Sequence, residues 1–361
     1  MLLLHRRALA AMSFAAGAAL GLPATGAAQE ETVRLSGQTV AVYNLAGEIT
    51  LTPGSGSDVA IDVSLRGADA SQLEVRAGPV DTRRSNWDTV EALRIVYPGD
   101  RILYEGLDGQ TRLRVHDDGT FWGGRGDRGM REVEISDRGA GLRASANLAV
   151  RVPTGKRVLI VLGAGMIEAT NVDGNLYLDT GSGGIRTAGT TGVLNLDTGS
   201  GDVVVDGAEG DINIDTGSGD VNVRSVRGPD LNIDTGSGNV TVDGVEAPEL
   251  SIDTGSGDVE VLGARTGRVS VDTGSGDVTV VTVAGSASFN VDTGSGNVTI
   301  SVPDGYAGHV RLETGSGNMR TDLPLTLIRK EDDEIQARIG DGGSAQIDIE
   351  TGSGNITLQR S

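Results

Sequence analysis

The chain has 361 residues, of which 56 are Gly, and Asp plus Glu outnumber Lys plus Arg by 50 to 30, a net charge of −20. Nine prolines without collagen-type glycine spacing exclude a triple helix, 3% aromatics confine any core to β-branched residues, and zero Cys excludes a disulfide framework. Residues 171–320 carry 22 acids against 7 arginines, a net of −15 that repels phosphate, so nucleic acid is not an expected partner.

The first segment reads as an export signal. Arg6 and Arg7 form a positive n-region, Ala8 to Leu22 an apolar stretch, and Pro23 to Ala28 a small-residue exit with Gly26 and Ala28 at −3 and −1. Cleavage after Ala28 predicts residues 1–28 as signal peptide and a periplasmic or extracellular product. No later stretch is apolar enough to span a bilayer.

Residues 29–145 read as a less regular β region that caps the C-terminal repeats. Glu48 to Thr52, Pro53 to Ser57 and Asp58 to Val63 form strand, turn, strand. Residues 90–97 and 111–116 also alternate, whereas 118–142, rich in Gly and Arg, read as a loop. Trp87, Tyr97, Tyr104, Phe121 and Trp122 cluster in this region with Arg112, Arg114, Arg125, Arg128 and Arg131 between them. Aromatics beside Arg stack on sugars or anchor a protein partner, which makes the five rings candidate partner-binding residues. The alternative is that they plug the end of a repeat array, which needs a cap. Arg125-Gly126-Asp127 is an integrin-type tripeptide, a short motif that chance readily produces in such a loop.

From 146 to 322 the sequence repeats itself. Asp-Thr-Gly-Ser-Gly occurs with its Asp at 179, 197, 215, 234, 253, 272 and 292, and a Glu-headed version occurs at 313 and 350. Leu231/Ile233 alternate before one turn and Val240/Val242 after it, and neighbouring units do the same, which means two short strands per unit, each with one buried face. Near-constant spacing and near-identical turns favour stacked coils over an antiparallel meander. The predicted fold is all-β, a parallel β-solenoid (β-helix) of about 18–20 residues per coil. At ~4.8 Å per rung its nine marked coils make a rod of roughly 40–45 Å. Val226, Val245, Ala264 and Ala284 suggest a short third side. Residues 323–361 hold an inserted stretch, Leu323 to Gly343, and a final coil. The Gly-Ser-Gly segments read as turns needing positive φ, not as phosphate cradles, because no helix comes after them.

Two columns carry the chemistry. After the turn, Asp202, Asp220, Asn239, Asp258, Asp277, Asn297, Asn318 and Asn355 exchange Asp for Asn freely, so that position needs a short capping side chain rather than a charge. Before the turn stands a carboxylate every time. Asp179, Asp197, Asp215, Asp234, Asp253, Asp272 and Asp292 are therefore the candidate metal ligands, set against a plain solvated acidic ladder. One carboxylate per coil is lean for Ca²⁺, which takes six to eight oxygens, so no cofactor is expected and only weak divalent-cation binding stays open. Hydrophobic-Asp-Thr-Gly-Ser is similar to aspartic-protease loops, but those work as one pair, not a tandem column. With His116 and His309 nearly 200 residues apart and no Cys, the chain is not expected to be an enzyme.

Ala149-Val150-Arg151-Val152-Pro153-Thr154-Gly155, the Gly-Ser-Gly-Asp/Asn-Val repeats and the ending Ile339-Gly340-Asp341-Gly342-Gly343 … Glu350-Thr351-Gly352-Ser353-Gly354-Asn355-Ile356 resemble the bacterial "putative adhesin" family of β-strand-repeat domains of unknown function. The resemblance spans roughly residues 32–361. It implies an exported, β-helical domain and carries over no catalytic residues. The expected function is a non-enzymatic, adhesin-like envelope or matrix module, a monomeric rod whose partner is an unknown macromolecule or glycan. A polysaccharide-active enzyme and a cation-dependent spacer are the alternatives.

Overall fold

The Val, Ile and Leu residues at every second position bury one face of each strand, and that face decides the architecture. A computed structural model describes residues 30–84, 87–121, 129–283 and 287–361. The export segment, Ala284, Trp122 and the Arg125–Asp127 tripeptide lie outside them. Among the described residues the fold is all-β and β-solenoid-like: 27 strands form one mostly parallel sheet wound on itself, and three more form a small separate sheet.

On the first side of the wound sheet run the strands that precede each turn. Gly174–Ser182, Leu194–Thr198, Ile212–Thr216 and Asp230–Thr235 stack in parallel with no register slip, Leu176 opposite Leu194, Leu194 opposite Ile212, and Ile212 opposite Leu231. The strands after the turns form the second side, with Val203 opposite Val221 and Val221 opposite Val240. Leu231, Ile233, Val240 and Val242 are all buried, each such side chain contributing about 1.5–3 kcal/mol of burial. A third side exists where Val226 pairs with Val245 and Ala264 with Thr282. Outward there, Glu209, Arg227, Glu246 and Arg265 alternate in sign from rung to rung, and Arg227 pairs with Glu246 at 2.7 Å.

The turns correct one expectation. Gly238 has φ +144°, but Gly236 is not in the left-handed region; a Cβ on Gly236 would stand 2.6 Å from the Gly217 carbonyl oxygen, and one on Gly238 2.0 Å from that of Gly219. Stacking of turn on turn, rather than positive φ alone, requires both glycines.

At the N-terminal end two more expectations change. Strand, turn, strand holds there, as Ile49–Pro53 and Val59–Arg66, but that turn is not the turn of the first rung. Thr39–Ala46 and Ile49–Pro53 stack on Lys156–Ala164 and Ile167–Thr170, so the rung turns at Gly47, and a Cβ on Gly165 would meet the Gly47 oxygen. Val59–Arg66 then runs back antiparallel against Ser145–Val152 and Glu30–Leu35. Nor is 118–142 wholly a loop, because Arg131–Ser136 is a strand pairing with Gln110–Val115 and Arg101–Leu103 in the small sheet. The antiparallel hairpin Glu74–Arg84/Trp87–Val96 covers the first rung on the other side of the wound sheet.

Chain order and spatial order part at the C-terminal end. Ala345–Ser353 pairs with Ser288–Ser295 on one edge and with Gly308–Thr314 on the other, so the last rung in the chain lies between the two before it. The stretch Leu323 to Gly343 is a hairpin of Leu325–Lys330 and Glu334–Ile339 that covers Gly308–Thr314 antiparallel. Antiparallel strands thus cover both sides of the stack at its N-terminal end and the first side at its C-terminal end, shielding those edges from further pairing.

Candidate functional site

Side chains alternate across a strand, so the residues between the buried ones on the first side all face outward. Register turns them into two columns. One runs Asp179, Asp197, Asp215, Asp234, Asp253, Asp272, Asp292, Glu350, Glu313 in spatial order. Beside it runs an amide and hydroxyl column of Tyr177, Asn195, Asn213, Asn232, Ser251, Ser270 and Asn290. Asn232 Nδ2 donates to Asn213 Oδ1 at 3.1 Å, linking adjacent rungs. From Tyr177 to Asp253 the two columns line a shallow concavity of about 650 Å³.

The two columns have defined ends. Towards the N-terminus the acidic column continues as Val161, Tyr43 and Arg94. Val161 and Tyr43 are buried, with Phe121 meeting the Tyr43 ring edge-on at 6.1 Å, and Arg94 pairs with Asp118 at 3.4 Å. Leu113 of the small sheet reaches over Gly163 and Gly181. At the other end Arg311 continues the amide column and pairs with Glu334 and Asp348, each at 3.1 Å, and with Glu313. Arg311 thus meets the acidic column at Glu313, its last member.

Stacking like charges leaves a mark. Partial burial, and then Asp215 and Asp253 on either side, hold the Asp234 carboxyl above the ordinary carboxylate range. Burial followed by Asp253 and Asp292 does the same to Asp272. Among the described residues no three carboxylate or imidazole groups converge on one ion position.

The capping column does more than was expected of it. From Asp202 to Asn355 the side-chain oxygen accepts from the backbone N–H one rung on, rather than from its own turn: Asp220 N to Asp202 Oδ1 at 3.0 Å, Asn239 N to Asp220 Oδ1 at 2.8 Å, and Asp258 N to Asn239 Oδ1 at 3.0 Å, with Asn318 on the last rung. An oxygen is all the position needs, and Asp and Asn both supply it. Inside the turn the Thr of every repeat is buried, and Thr198 and Thr351 donate to the carbonyls of Gly183 and Gly296 at 3.0 and 3.1 Å. The hydroxyls of Thr180, Thr235, Thr254 and Thr273 are buried without a hydrogen-bond partner, so the Thr column is a packing column with bonds at only some rungs.

Three of the five aromatic candidates lie among residues whose side chains are described, and none of the three is exposed. Tyr97 is buried, with its hydroxyl 2.8 Å from Asn44 Oδ1 and 3.0 Å from the Ala46 carbonyl. Phe121 is buried as well, and Tyr104 packs half-buried against the core. Tyr97 and Phe121 are interior packing of the N-terminal cap, and Tyr104 lies at its margin. The side chain of Trp87 and all of Trp122 lie outside the described residues.

A family model described as "Toastrack DUF4097" matches residues 147–359. One solved structure, titled as a "putative cell adhesion protein" from Clostridium sporogenes ATCC 15579, aligns with 93% of this chain and 100% of its own, at 10% identity and a TM-score of 0.18, an overlap that carries no argument. No curated protein matches the chain. Among the described residues no helix is long and apolar enough to cross a membrane.

Proposed function

The chain belongs to the Toastrack DUF4097 family of bacterial domains of unknown function, and from that premise we propose that it is an exported, non-enzymatic binding module of the cell envelope or its surroundings. The wound sheet, with coils of 18 to 20 residues, is a rigid ruler, and its working surface is the open face of paired acidic and amide columns. The observation that carries this reading is the uninterrupted register of that face from Tyr177 to Asn290, bounded by the cap at one end and Arg311 at the other. A surface that repeats at ~4.8 Å suits an extended polymer with regularly spaced donor or cationic groups, such as a glycan. Its charge turns away polyanions. The burial of Tyr97 and Phe121 moves the expected contact from the aromatic cluster to this ladder.

The experiment incubates the purified protein with insoluble envelope material and with a panel of neutral, amino-substituted and acidic polysaccharides, reading retention and the release of new chain ends together. Retention without release is the expected result. Release of new chain ends would overturn the reading in favour of a polysaccharide-active enzyme.

The cation-dependent spacer is a second reading, favoured by the raised carboxyls of Asp234 and Asp272. A thermal melt that rises with calcium, beyond what sodium chloride of equal ionic strength produces, is its test.

A further inference from the structure

We propose that the segment Ala345–Arg360 is exchangeable between copies of this chain, the slot it fills accepting the same segment of a second copy to give a reciprocally swapped dimer. Its partner is thus another molecule of the same protein.

The argument begins with the order of the rungs. Asp292 stands opposite Glu350 and Glu350 opposite Glu313, while Val298 stands opposite Ile356 and Ile356 opposite Met319. The rung Gly308–Thr321 is therefore made before the rung that separates it from Ser288–Val302. Until the last segment arrives, two parallel strand edges face an empty slot on each side of the wound sheet. Unpaired edges pair with whichever matching strand reaches them first.

Everything that holds the segment is a contact that an identical segment from another copy makes equally well. Asn355 N–H donates to Asn297 Oδ1 and Asn318 N–H to Asn355 Oδ1, both at 3.0 Å. Thr351 Oγ1 donates to the Gly296 carbonyl at 3.1 Å and Thr314 Oγ1 to the Gly354 carbonyl at 2.9 Å. Parallel backbone pairing on both edges, the Arg311–Asp348 pair, and bonds from Gln346 N–H, Gln359 Nε2 and Arg360 N–H to Ser288, Ser301 and Asp322 supply the rest. In the middle of the array each rung is the chain's direct continuation of the one it stacks on. This rung instead reaches its slot across Gly340-Asp341-Gly342-Gly343-Ser344, where Gly340 and Gly342 have φ +63° and +92°. Such a glycine-rich connection is where a chain reopens to pass an element to a neighbour, and a shorter connection pushes the balance toward exchange.

Full-length single-cysteine variants test this, since the chain has no cysteine of its own. Ser295 and Ser353 are exposed register partners across the slot. S295C and S353C chains are unfolded, mixed, refolded together and oxidised, and the products are separated without reductant. A covalent dimer is expected from the mixture and from neither variant alone, its share rising with protein concentration during refolding. Ser237 and Ser256 lie on successive rungs in mid-array, so a mixture of S237C and S256C chains measures background. Deleting Gly342 and Gly343 in otherwise native chains should raise the dimer fraction in sedimentation. If the S295C/S353C mixture gives no dimer above background at any concentration while the doubly substituted chain closes its own disulfide as a monomer, the exchange does not occur and the proposal falls.

Discussion

Asp234 and Asp253 are register partners on neighbouring parallel strands, so two carboxylates one rung apart project from the same face. The third side of the wound sheet handles the same geometry the opposite way, with Glu246 between Arg227 and Arg265. Alternating signs stabilise that side modestly, whereas the acidic column works against the stack by up to about 1 kcal/mol per exposed pair. The acidic face is thus an energetic cost borne at the surface proposed to bind.

The cost has a pH signature. Asp234 and Asp272 have folded-state values raised above the ordinary 3.8. Above those raised values both folded and unfolded chains are ionised there and the penalty is complete. As pH falls through them toward 3.8 the folded chain takes up protons first and the penalty fades. Asn in place of Asp at 215, 234, 253 and 272 should raise Tm by a few degrees at pH 7 and low salt, with the gap closing as pH falls through that window. Asp62 acts in the reverse sense and lower down. Hydrogen bonds from Arg151 and Thr32 hold it at about 2, so its contribution is present above 3.8 and is lost as pH falls toward 2. A melt series of both proteins from pH 7 to 3 checks the window; a gap constant with pH would contradict the stacking.

Ile233 is 2% exposed, while Thr241 faces outward on the second side. Ile233→Asp should cost several kcal/mol, about 3 or more, because the carboxylate is buried without a partner. Thr241→Asp should stay within about 0.5 kcal/mol. Urea unfolding measures both, and equal effects would mean that the faces are misassigned.

Each turn glycine should be needed for its own reason. Gly236→Ala meets the neighbouring turn's backbone at 2.6 Å, and Gly238→Ala meets it at 2.0 Å in the left-handed region as well. Gly238→Ala should be the more damaging, at about 3 kcal/mol or more, with Gly236→Ala about 1–3 and Ser237→Ala near zero. The order of the three midpoints in denaturant is the check.

Asn355 joins three rungs through Asn297 and Asn318. Asn355→Ala should cost about 1–2 kcal/mol, since it strands the Asn318 N–H, while Asn355→Asp keeps the accepting oxygen and should recover most of that loss. Hydrogen exchange at Asn318 separates the two variants.

Much of the fold was legible because period-two apolar residues and an invariant turn leave few ways to stack. Asp179 through Asp292 fall into one column by spacing alone. What spacing could not carry was the order of the end rungs: Glu313 and Glu350 bear the same turn, so nothing local says which neighbours Asp292. The N-terminal rung hid for a related reason. Its turn at Gly47 has no Gly-Ser-Gly, while Pro53–Ser57, which looks like the repeat, joins a parallel strand to an antiparallel one. Tyr97 and Phe121 misled because aromatic residues beside Arg look alike in a cap and in a docking site until burial is known. Asn195, Asn213 and Asn232 alternate with buried residues as any outward strand position does, so nothing in the sequence sets them apart from polar spacers.

Retention on insoluble envelope material tests the central claim most directly, comparing the native protein with N213R/N232R and with T241R on the second side. If the ladder face binds, N213R/N232R should be retained about tenfold less, ~1.4 kcal/mol in binding free energy, while T241R matches the native protein and all three show a cooperative melt. Equal retention of all three, or equal loss in both variants, would contradict the assignment of that face.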